Sequence, residues 1–136
     1  MKKPEMARAV IIDTNFWLLP FEKRINILGQ LERMAEYAPL HIIVPVPVHN
    51  ELKAMAGRRT KKRIAAKSAL AVIERLVGEK KAQLYEINGS ADGAIITSAL
   101  QTKGWVATND RQLRMRLGQK KIRTIVLRDE HTLGFF

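Results

Sequence analysis

Five short apolar runs separated by stretches of helical spacing constrain this chain more than any other feature. The runs are residues 8–13 (RAVIID), 40–46 (LHIIVPV), 83–87 (QLYEI), 105–108 (WVAT) and 122–127 (IRTIVL). Short, β-branched, nearly unbroken apolar runs are what strands buried on both faces look like. Between them, Ile27, Leu31, Met34 and Ala38 mark one side of a helix over 22–38. Pro47 can occupy the first position of a helix running to about residue 56. Ala66, Ala69, Leu70, Ile73 and Leu76 line a helix over 63–77, with Gly78 as its cap. Ser90 reads as the N-cap of a helix over 91–102, and a short helix over 110–117 stops at Gly118. Strands alternating with helices predict βαβ units and a parallel sheet covered on both sides. The expected architecture is a three-layer α/β/α sandwich with about five strands. A length of 136 residues suits a single domain over residues 1–136, and no linker or repeat interrupts it.

Charge narrows the class of partner. The formal net charge is +11, and its distribution is uneven. Residues 1–56 carry 7 Lys/Arg against 6 Asp/Glu, whereas residues 57–136 carry 17 against 7. This asymmetry favours a polyanion, nucleic acid above all; a merely solvated basic surface is the bland alternative. Arg58, Arg59, Lys61, Lys62, Arg63 and Lys67 form a run without an acid. Arg111, Arg114, Arg116, Lys120 and Lys121 form a second group. Cysteine is absent, which excludes disulfides and thiolate zinc sites and fits a reducing, cytoplasmic setting. The start, Met1-Lys2-Lys3, is followed by Pro4 and Glu5 rather than an apolar signal region. No apolar run approaches the ~20 residues of a membrane span.

With only 13 acidic residues in the chain, their positions carry information. Asp13 ends the first predicted strand. Glu51 lies about one turn into the helix after the second. Asp92 lies in the first turn of the helix after the third, and Asp110 follows the fourth. In a parallel sheet all four places fall at the carboxyl edge, where open α/β sheets build their sites. Taken singly each has a plain explanation: a turn, a solvated helix residue, an acid at a helix N-terminus, an N-cap. Together they repel, and need cations or protons to coexist. Hard divalent ions such as Mg²⁺ or Mn²⁺ take ligands of this kind. The three histidines, His41, His49 and His131, are scattered. The glycine-rich signatures of nucleotide-binding loops are absent.

The segments IIDTNFWL (11–18), VPVPVHNEL (44–52), ADGAII (91–96) and VATNDRQL (106–113) resemble the four acidic motifs of PIN-domain nucleases, in order, spacing and strand–helix context. The resemblance covers about residues 8–128. TNDRQLRMRL and IRTIVLR look most like archaeal PIN proteins related to ribosomal-RNA-processing nucleases, with VapC-type toxins as the neighbouring branch. The resemblance implies a metal-dependent endoribonuclease using Mg²⁺ or Mn²⁺, with Asp13, Glu51, Asp92 and Asp110 as the metal-binding, catalytic acids. Thr14, Asn15, Thr108 and Asn109 would support them or orient substrate, and the two basic groups would contact RNA. Ribosomal RNA precursor is the expected substrate. A toxin with an antitoxin partner, or a catalytically weak RNA-binding assembly subunit, are the other readings. One departure stands out: archaeal relatives often carry a second acid after the third motif's Asp, where this chain has Gly93. Losing an acid there weakens a second metal site, and leaves the helix N-terminus open to a phosphate. The apolar tail, residues 133–136 (LGFF), either covers the core or joins a homodimer.

Overall fold

A computed structural model describes residues 7–136; the basic start at Met1-Lys2-Lys3 lies outside the described residues. Among the described residues, six strands form one sheet: β1 (Arg8–Ile12), β2 (Leu40–Pro45), β3 (Ala82–Tyr85), β4 (Trp105–Ala107), β5 (Thr124–Leu127) and β6 (Leu133–Phe135). Their order is β3-β2-β1-β4-β5-β6. The first five strands are parallel, and β6 returns antiparallel along β5. Central β1 is apolar on both faces because both are covered: Val10, Ile11 and Ile12 have no exposed surface. Edge strand β3 is the least apolar of the five, and Gln83 and Leu84 face solvent.

Six α-helices of the described residues cover the sheet: α1 (Leu19–Glu22), α2 (Ile27–Met34), α3 (Val46–Gly57), α4 (Arg63–Gly78), α5 (Ala91–Thr102) and α6 (Arg111–Gln119), with a 3₁₀ turn at Phe16–Leu18. Helix α4 packs against β3 and the 3₁₀ turn, α5 against β1, β2 and β4, and α6 against β5. The result is the expected α/β/α sandwich. Gly104, just before β4, allows the close approach of β4 to β1. A Cβ there would lie 2.8 Å from Ile11 Cδ1 and 3.1 Å from the Ala9 carbonyl.

Three expectations need correction. The sheet has six strands rather than five, because the apolar tail pairs with β5 in the register Ile125↔Phe135 and Leu127↔Leu133. Leu133 is buried and its N–H donates to Gln30 on α2 at 2.8 Å. The tail is thus part of this chain's own sheet; a three-residue strand containing Gly134 is too short to show alternation.

The helix expected over 22–38 is broken. Asn26 caps α2, accepting from the Gly29 N–H at 3.0 Å. Glu36 and Tyr37, at φ 54° and 63°, end its turn before Ala38, because a left-handed residue cannot continue a right-handed helix.

Gly78 and Gly118 lie within the last turns of α4 and α6 rather than beyond them. The left-handed positions after those helices are taken by Lys80 and Lys121, at φ 61° and 59°.

Candidate active site

The strand order brings the four acids to one edge. Asp13 follows β1, and its N–H donates to the Ala107 carbonyl at the end of adjacent β4 at 2.9 Å. Asp13 is only 8% exposed, and Thr14 and Thr108 are buried with it. Its Oδ1 accepts from the Thr14 N–H at 2.8 Å, and its Oδ2 accepts from the Thr108 hydroxyl at 2.7 Å. The carboxylate is therefore fixed in orientation, with lone pairs remaining on both oxygens.

The neighbouring threonines tie in two more acids. The Thr14 hydroxyl donates to Glu51 Oε1 at 2.5 Å, holding an otherwise exposed side chain of α3 against the β1 end. Thr108 Oγ1 accepts from the Asp110 N–H at 3.0 Å. Asp110 is the N-cap of α6: its Oδ1 accepts from the Leu113 N–H at 3.0 Å. One oxygen of Asp110 thus serves the helix, which leaves Oδ2 for the site. Asn109 accepts from the Leu127 N–H at 2.9 Å, pinning the β4–α6 turn to β5.

Asp92 stands in the first turn of α5, whose N-cap is Ser90. Burial raises the Asp92 pKa above the ordinary carboxylate value; nearby Asp110 and Glu51 raise it too, and Arg116 opposes them. Asp13 is raised first by burial, against the lowering effect of its Thr108 and Thr14 hydrogen bonds, and further by the charges of Asp92 and Asp110. The acids therefore feel one another across the edge. Among the described residues, none of the four forms an ion pair with a lysine or arginine. An all-oxygen donor set without an ion-pair partner suits a hard divalent cation. As placed, no three acids or histidines among the described residues form a group that could hold one ion.

The basic residues divide by position. Arg58, Arg59, Lys61 and Lys62 form the α3–α4 loop, with Arg63 and Lys67 on α4. Lys62 Nζ donates to Asn15 Oδ1 at 3.1 Å, which brings that loop to the acidic edge. Sequence spacing gives no signal for this contact. Arg116 reaches Asp92 electrostatically, and Arg111 opens α6. Arg114 turns to the tail: its guanidinium lies 4.3 Å from the Phe136 ring centroid, and its buried Nε has no hydrogen-bond partner among the described residues. Lys120 and Lys121 stand at the opposite, amino edge of the sheet, beside Gly104 and Trp105, because α6 runs away from the acids.

Gly93 also reads differently in three dimensions. Its N–H donates to Ser90 Oγ at 3.1 Å, so that donor is already taken and the helix N-terminus is less open to a phosphate than expected. A Cβ at Gly93 would sit 3.1 Å from the same Ser90 Oγ. His49 lines a hollow with Leu70, Ile73 and Leu84, away from the acids. Burial, and secondarily Lys53, hold its pKa down. His41 pairs with Gln83 at 2.6 Å, and His131 lies in the β5–β6 turn.

A family model described as a PIN like domain matches residues 10–130. The chain belongs to the PIN-domain nuclease family. It is similar to Ribonuclease VapC4 of Methanocaldococcus jannaschii, with 30% identity covering 93% of this chain and 95% of that protein. Ribonuclease VapC9 of Archaeoglobus fulgidus is 23% identical, over 90% of this chain and 85% of that one. Among solved structures, the PIN domain endonuclease Utp24 superposes with a TM-score of 0.72 at 23% identity, covering 93% of this chain and 90% of that chain. A domain of a functionally unknown M. jannaschii protein superposes at 0.64 and 18% identity, over 90% and 92% of the two chains. No helix among the described residues of this PIN protein is long and apolar enough to cross a membrane.

Proposed function

We propose that this PIN protein, as one domain over residues 1–136, is a cytoplasmic endoribonuclease that needs Mg²⁺ or Mn²⁺ and acts on structured RNA such as a ribosomal RNA precursor. The observation that carries this reading is the convergence of Asp13, Glu51, Asp92 and Asp110 on one sheet edge, where neighbouring carboxylates raise both Asp13 and Asp92 and, among the described residues, none of the four makes an ion pair. Asp13, Glu51, Asp92 and Asp110 are the residues that would hold the metal. When bound, such an ion neutralises phosphate charge and makes water a stronger nucleophile at neutral pH. Thr14 and Thr108 orient the carboxylates: one hydroxyl holds Glu51 and the other holds Asp13. Lys62, set beside the site through Asn15, and the other cations of its loop hold RNA phosphates.

Two other readings have specific support. Both relatives similar in sequence are named as VapC ribonucleases, which supports a toxin paired with an antitoxin. Gly93, together with the absence of a preformed three-acid group among the described residues, supports a weakly catalytic RNA-binding assembly subunit. The deciding experiment incubates wild type and Asp13→Asn with labelled RNA in Mn²⁺, with and without EDTA. Cleavage by wild type alone, stopped by EDTA, is the expected result. Equal cutting by both proteins would overturn the assignment of the site, and no cutting by either would favour the assembly subunit.

A further inference from the structure

The opposite edge of the sheet carries a second concentration of chemistry. There the amino ends of β1, β4 and β5 meet the carboxyl end of β6 and the end of α2. They enclose an open concavity of about 750 Å³ lined by Arg8, Tyr37, Trp105, Arg123 and Phe135, with Glu36 as the only acid among the described residues of its wall. An adjoining hollow of about 290 Å³ shares Trp105 and Arg123, and adds Lys103, Lys120 and Lys121.

Two arginines in this concavity are held on aromatic faces. The Arg8 guanidinium lies 4.4 Å from the Trp105 ring centroid, and that of Arg123 lies 3.7 Å from the Phe135 centroid. The two rings meet edge-on at 4.9 Å. Stacking fixes each guanidinium plane while leaving N–H groups at its edge, the arrangement suited to phosphate oxygens. Arg8 spends one such group on the Lys103 carbonyl at 3.2 Å. Tyr37 is 75% exposed in this wall although it is a large aromatic, and its left-handed backbone, at φ 63°, holds it at the end of α2. Among the described residues, five cations against one acid, with an exposed aromatic ring among them, match the elements of single-strand nucleic-acid binding: charge that tracks phosphates and a ring on which a base stacks.

We propose that this amino edge is a second contact surface for single-stranded RNA, with Arg8, Arg123, Lys103, Lys120 and Lys121 on phosphates and Tyr37 against a base. The inference rests on the ribonuclease reading for its choice of polyanion. Five residue steps along β1 separate Arg8 from Asp13, about 17 Å of extended chain, so a strand reaching from one edge to the other must be several nucleotides long. The surface therefore grips RNA flanking the cut and does no chemistry.

The test uses a fluorescent single-stranded 20-mer RNA in EDTA, with affinity measured against salt. Lys103→Asn, Lys120→Gln and Lys121→Asn are combined, since asparagine tolerates the left-handed backbone at Lys103 and Lys121. The slope of log K against log[salt] should flatten by up to about 2, at about 0.7 for each phosphate no longer neutralised. Separately, Tyr37→Asn should weaken binding about fivefold or more with little change in slope. Wild-type slope and affinity in both variants would overturn the inference and assign the patch to another polyanion, an acidic protein segment included. A trinucleotide substrate, whose two phosphodiesters are too short to span both edges, separates this inference from the ribonuclease reading. The triple variant should cut it at the wild-type rate while cutting the long RNA more slowly. If neither protein cuts either RNA, the ribonuclease reading fails and the binding slopes alone decide the surface. Equal cutting and equal binding of the long RNA would sink the surface and leave the ribonuclease reading standing.

Discussion

Replacing Thr108 with valine tests whether Asp13 is held as an oriented, ionised group. Valine keeps the shape of threonine at a fully buried position, so no cavity opens. Two hydrogen bonds disappear: the 2.7 Å donation to Asp13 Oδ2, and the 3.0 Å bond accepted from the Asp110 N–H. A bond to a charged group contributes about 1.5–3 kcal/mol, and the N–H, which water can reach beside exposed Asp110, about 0.5–1. The expected loss at neutral pH is therefore about 2–4 kcal/mol. At roughly 2.1 cal/mol/K of unfolding entropy per residue, a chain of this size loses about 3.5 °C of melting temperature per kcal/mol, giving a fall of about 7–14 °C.

The pH dependence carries the diagnosis. Burial raises the Asp13 pKa, and the Thr108 bond works against that rise. Without the hydroxyl, the folded pKa of Asp13 climbs further. A raised carboxylate pKa means that the folded state binds more protons than the unfolded one, so ionisation of Asp13 costs stability as pH rises. The cost is larger in the variant, and the charged part of the difference is complete only above the variant's folded pKa. As pH falls from that value through the wild-type folded pKa, the difference shrinks toward a neutral hydrogen bond plus the Asp110 N–H, about 1–2 kcal/mol. Urea unfolding of both proteins from pH 7 downward measures this directly. Thr108→Ser, which keeps both bonds, should show a small loss that does not vary with pH. A valine variant within about 0.5 kcal/mol of wild type at pH 7, or one equally destabilised at every pH, would refute the reasoning.

The other expectations follow from the same edge. Asp13→Asn removes the buried charge, so it should melt above wild type at pH 7; the gain should disappear below the ordinary Asp pKa of 3.8, and calorimetry across pH checks it. Neutralising Arg58, Arg59, Lys61 and Lys62 together should flatten the salt slope of RNA binding by up to about 2.8; an unchanged slope would make the loop a solubility feature. Gly93→Asp must displace Ser90 Oγ by a few tenths of an ångström, which a serine hydroxyl can do, and should lower the Mn²⁺ concentration for half-maximal cleavage. Superimposable metal titrations would detach Gly93 from metal binding.

Much of this protein is written locally. Short apolar runs name the parallel strands, most plainly β1 and β2, where burial on both faces leaves little room for polar residues, and Ser90 and Asp110 announce the starts of α5 and α6 through the caps they make. The acids could be assigned to one edge from strand ends alone, since a parallel sheet has only one carboxyl edge. Non-local pairing decided the rest. Strand order places β4 beside β1, so that Thr108 can meet Asp13 across 95 residues; nothing in either segment's periodicity specifies its neighbour. The tail became β6 because β5 had an open edge and α2 offered Gln30 to Leu133, whereas three residues are too few to carry a pattern. The basic residues show the same division. Their number follows from composition, but only the loop that folds back to Asn15 brings Lys62 to the acids, and only the direction of α6 carries Lys120 and Lys121 to the far edge. Charge says that a polyanion is attracted; where it can touch depends on which way each element runs once the sheet is assembled.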